Sequence, residues 1–100
     1  MDFAKINRQF LFLNRDKYEL IDIKEADFIP TLTNVLICFV VNTDIDKSIF
    51  LKEKYDECCN EYLSFIKQFD QYKIYAYEFM ILSREEVKRD YDENYYYAMH

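Results

Sequence analysis

Glycine and tryptophan are absent from this 100-residue chain, proline occurs once (Pro30), and the one histidine is the last residue, His100. Each absence removes a class of chemistry. Without glycine there is no dinucleotide-binding fingerprint, no Walker phosphate loop and no nucleophile elbow, because each needs a backbone that glycine permits. A serine or cysteine nucleophile would lack the imidazole base that normally activates it, since a terminal histidine is poorly held. Cys38 and the adjacent Cys58 and Cys59 lack the spacing of zinc ligands, and helix neighbours do not readily bridge one another. They read as reduced, small, buried apolar residues of a cytoplasmic protein. Long apolar runs are missing too. The longest, Val35 to Val41, is far too short to cross a bilayer, and "MDFAKINRQFLFLNRD" at the start has no signal-peptide pattern.

What is present is an acidic, ring-rich composition, with a formal charge of −6, 51% hydrophobic residues and 19% aromatic residues. A chain of this length buries a core without metals or disulfides, and one domain over residues 1–100 is expected. Its negative surface repels free nucleic acid and anionic membranes, which leaves basic proteins as the natural complement. The abundance of Ile, Asn, Lys, Phe and Tyr also matches A/T-rich coding, a source of tyrosines that needs no functional cause.

With no glycine, Asn and Asp are expected to make the turns. "LNRDKY" (13–18) reads as a hairpin turn joining a strand through "FLFL" (10–13) to a second strand, "YELIDI" (18–23). A helix over 2–13 is the rival reading, since Phe3, Ile6, Phe10 and Leu13 also fit helical spacing. "VLICFVV" (35–41), unbroken and β-branched, predicts a strand buried on both faces, after a loop at Pro30 and "TLTN". Thr43, Asp44 or Asp46 can cap the next helix. In residues 51–69, Leu51, Tyr55, Cys58, Cys59, Tyr62, Leu63, Phe65, Ile66 and Phe69 fall within an arc of about 160°. That predicts a long amphipathic helix. "YKIYAYEFMIL" (72–82) alternates like a strand, and "SREE" (83–86) is a capping box that starts a last helix, with Val87, Tyr91, Asn94, Tyr95 and Ala98 on its inner stripe. The expected fold is α+β: a mainly antiparallel sheet of three to four strands, one long helix over about 47–70 and a C-terminal helix over about 84–98.

Glu57 with Glu61, and Glu86 with Asp90, stand one helical turn apart, but no enclosing apolar residues shift their ionisation toward acid–base or cation-binding work. No enzyme activity, cofactor or metal is expected. Two partner-binding patches stand out. Glu53, Asp56, Glu57 and Glu61 lie on the outer face of the long helix. Glu86, Asp90 and Glu93 surround Tyr96 and Tyr97, rings that bury area at low entropic cost beside carboxylates that attract bases. The expectation is a non-enzymatic acidic protein-binding module, monomeric or homodimeric, that contacts no nucleic acid directly and inhibits a nucleic-acid-handling protein by covering its basic surface. Phage or mobile-element anti-defence proteins, including anti-CRISPR proteins, are the natural setting. An immunity protein or antitoxin, and an assembly subunit of a homo-oligomer, are the alternatives.

Overall fold

The computed structural model describes residues 2–29 and 34–89. In chain order the elements are α1 (Phe3–Leu13), α2 (Arg15–Tyr18), β1 (Asp22–Ile29), β2 (Asn34–Val41), α3 (Asp44–Glu53), α4 (Tyr55–Ile66) and β3 (Ala76–Ser83), with residues 84–89 again helical. The class is α+β, as the sequence indicates. The architecture departs from the expected one in four details.

First, residues 3–13 are a helix and not a strand. Phe3, Ile6, Asn7 and Phe10 repeat at helical spacing and are buried, and the Asp2 carboxylate accepts from the Lys5 amide at 3.1 Å to cap the first turn. The expected hairpin turn at 13–18 is therefore a helix–helix junction. Asn14 closes α1 by donating its backbone and side-chain N–H groups to the Phe10 carbonyl at 3.1 and 3.0 Å. Glu19 then takes the left-handed backbone that glycine usually fills, with φ 56°, and its amide closes α2 on the Arg15 carbonyl.

Second, the strand after this junction begins at Asp22, with Tyr18 buried in α2 instead of paired in a sheet.

Third, the sheet is mixed. β2 is central, antiparallel to β1 with an irregularity between Glu25 and Asp27, and parallel to β3. A parallel pair needs a crossover, and α3 with α4 provides it. The central strand matches the sequence expectation: Val35, Ile37, Phe39 and Val41 join the helix-facing core, while Cys38 and Val40 are buried on the opposite face.

Fourth, the long helix is two helices broken at Lys54, where φ is −128° and ψ −13°. The break has a packing cause. On one continuous helix Phe50 would sit roughly 60° outside the apolar arc. Resetting the phase turns it inward to 2% exposure, with its ring 6.2 Å from Phe39. The same rotation leaves Leu51 at 47% exposure. Thr43 caps α3 by accepting from the Asp46 amide at 3.1 Å.

Tyr62 of α4 gathers the layers. Its ring lies 5.2 Å from Phe10, 5.8 Å from Phe39 and 5.6 Å from Phe79, edge to face in each case. Its hydroxyl donates to Asn7 Oδ1 at 2.6 Å, whereas the buried Asn7 Nδ2 has no partner among the described residues. Tyr62→Phe should cost about 1–3 kcal/mol by leaving the whole Asn7 amide unpaired, and adding Asn7→Leu should recover most of it. Urea denaturation of the two single variants and the double variant measures this directly.

Candidate functional site

The expected acidic patch divides between two helices. Glu53 ends α3, while Asp56, Glu57 and Glu61 belong to α4. Glu61 is turned to an internal task. It accepts from the Tyr18 hydroxyl and from Lys17 Nζ, the latter at 3.1 Å, and Lys17 also reaches Glu57 at 3.1 Å. The Tyr18 hydroxyl, with Lys17, holds the Glu61 carboxyl below its usual range, while Glu61 and Glu57 raise the Lys17 ammonium. The two acids thus pin α2 to α4. Glu53 and Asp56 remain exposed without a salt bridge among the described residues.

Of the second patch, Asp90, Glu93, Tyr96 and Tyr97 lie outside the described residues, as do Tyr91, Asn94, Tyr95 and Ala98 of the expected helix stripe. Glu86 is described, and it faces inward. The capping box forms as expected, with Glu86 N–H donating to Ser83 Oγ and Ser83 N–H donating to Glu86 Oε1, both at 3.2 Å. Lys47 of α3 then pairs with Glu86 at 2.9 Å, and Ser83 Oγ donates to Asp44 Oδ1 at 2.6 Å. These bonds clamp the end of β3 to the start of α3, and Lys47, followed by the Ser83 amide, lowers the Glu86 pKa.

Two surface features escape the sequence reading. On α3, Ile45 is 73% exposed and Ile49 45% exposed. With Glu53 they stand at i, i+4 and i+8 on one stripe. The i,i+4 isoleucines just ahead of Glu53 were the available signal, but the apolar arc drawn over 51–69 begins after them. The other feature is an apolar groove between α1 and the start of β1.

The thiols are shielded. Burial pushes Cys38 up to about 11 and raises Cys58 and the half-buried Cys59 as well. No group of three or more His, Cys, Asp or Glu side chains is placed to hold a metal ion among the described residues. Among those residues, no helix is long and apolar enough to cross a membrane. Comparison with family models, curated proteins and solved structures found no match.

A carboxyl whose pKa is lower in the folded chain adds stability above its unfolded value, here near 4.5, and loses it as pH falls through the folded value. Glu86→Gln should therefore lower stability by about 1 kcal/mol at neutral pH, with the gap closing below the unfolded value; denaturant melts across that range read it. In a thiol-reagent assay near neutral pH, the folded protein should leave Cys38 and Cys58 unmodified and react slowly at Cys59, with all three reacting after denaturation.

Proposed function

We propose that this protein is a non-enzymatic binding module that works by covering a surface of another protein. The observation that carries the reading is the stripe on α3. Ile45 and Ile49 stand in solvent where a helix of this fold could have carried polar residues, and Glu53 and Asp56 follow them in the chain with no salt bridge among the described residues. Solvent-facing aliphatic anchors bordered by unpaired carboxylates suit a partner surface that is apolar at its centre and basic at its edge. Lys52 and Lys54 flank the acids, so the aliphatic anchors supply the affinity and the carboxylates the orientation.

The particular reading is an inhibitor that occupies a basic, nucleic-acid-handling surface, as anti-defence proteins of phages and mobile elements do. A net charge of −6 supports attraction to such a partner and rejection of nucleic acid itself. Glu61 and Glu86 drop out of the contact, because each is already committed within the fold.

The test is capture of a partner from the source cell, followed by titration with the purified partner. Binding should weaken about tenfold or more from about 50 to about 200 mM salt, and duplex DNA or RNA should compete. Ile49→Asp with Glu53→Gln should weaken binding about tenfold without lowering the melting temperature. Salt-independent binding that nucleic acid does not disturb would remove the inhibitor reading. Unchanged binding by the α3 variant would remove α3 as the contact.

A further inference from the structure

The groove between α1 and the entry to β1 has a volume of about 930 Å³ and a character opposite to that of the molecule as a whole. Phe12 and Leu13, at 76% and 67% exposure, and Ile21 form its open apolar wall. Leu11 and Leu20 lie deeper, where α1 and the residues before β1 meet the core. Around them stand Lys5, Arg8 and Arg15, all exposed, with no salt bridge among the described residues. No acidic side chain is among the described residues that line the groove, in a chain with 19 acids. Lys5, Arg8 and Phe12 repeat at i, i+3 and i+7, so the cations and the ring share the outward stripe of α1. The inward stripe of Phe3, Ile6 and Phe10 already supplies what α1 needs to dock, and among the described residues the outer stripe has no packing duty.

We propose that this groove binds a short acidic, amphipathic peptide segment of another protein. The apolar side chains of the segment would fill the space between Phe12, Leu13 and Ile21, and its carboxylates would pair with Lys5, Arg8 and Arg15. Two physical points select this occupant. An apolar concavity rimmed by fixed cations complements a segment that presents apolar and acidic side chains together, with guanidinium groups able to hold carboxylates in bidentate geometry. A membrane or a nucleic acid is a large anion that must approach the whole molecule, and the net charge of −6 opposes both; a short peptide meets only the local cationic field. This surface is separate from the α3 stripe, and the two readings stand or fall independently.

The probe is a phage-displayed library of random peptides about 12 residues long, panned against the full chain, with the most enriched sequence synthesised and titrated by fluorescence anisotropy. Enriched peptides should be net acidic with at least two large apolar side chains. Phe12→Asp, and separately Arg8→Glu with Arg15→Glu, should each weaken the synthetic peptide about tenfold or more while keeping the wild-type melting temperature. Ile49→Asp with Glu53→Gln should leave peptide binding unchanged, whatever that variant does to the α3 contact. No enrichment, enrichment of neutral or basic peptides, or full binding by a folded Phe12→Asp variant would overturn the proposal. So would a dimer in light scattering that Phe12→Asp dissolves, which assigns the groove to a second copy. Tighter capture by phosphatidylserine vesicles than by the peptide would overturn it in favour of a lipid surface.

Discussion

The ring of Tyr62 is the point where the layers of this protein meet. It sits at zero exposure on α4 and touches Phe10 of α1, Phe39 of β2 and Phe79 of β3. Phe39 and Phe79 are themselves stacked across the parallel strand pair, with centroids 5.5 Å apart. A cluster that takes a member from each layer makes their positions interdependent: β3 lies beside β2 only if α4 lies over both. The phase break at Lys54 serves the same cluster, since it is what brings Phe50 against Phe39. The exposed aliphatics of α3 follow from that rotation, because a helix turned to bury Phe50 leaves Leu51 in solvent and carries Ile45 and Ile49 on its outer side.

The carboxylates divide by what lies near them. Glu61 and Glu86 carry similar chemistry to Glu53 and Asp56, yet the first two join segments far apart in sequence and the latter two face solvent. Lys17 reaches α4 from 44 residues before Glu61, and Lys47 reaches Glu86 across 39 residues. Neither lysine pairing shows in local spacing, although Glu86 is marked there as a capping acid. An exposed pair such as Lys17 with Glu57 contributes little energy, but its geometry fixes which acids a partner can meet.

What the sequence made legible was whatever local chemistry decides. "VLICFVV" reads as a doubly buried strand because seven apolar, largely β-branched residues have no polar face, and Ser83 with Glu86 reads as a reciprocal cap because the partners are three residues apart. Residues 2–13 were ambiguous because "FLFL" imitates a strand while Phe3, Ile6 and Phe10 keep a helical period; Asp2 supports the helix through a local cap on the Lys5 amide, and the buried Asn7 through its contact with Tyr62 on α4. The break at Lys54 was not legible, since no proline or glycine marks it and its cause is a ring on another element. The α1 groove was hidden for a related reason. Phe12 and Leu13 belong to an apolar run that reads as core until the inward stripe of α1 is known to be complete without them.

The parallel pairing of β2 with β3 has a consequence during synthesis. β2 gains its antiparallel neighbour β1 from the segment just before it, but its other edge waits until residues 76–83 have left the ribosome. Until then a seven-residue stretch rich in β-branched and aromatic side chains, without charge, proline or glycine, presents an open row of amides and carbonyls. A chain cut short before Ala76 would leave that edge without its parallel partner.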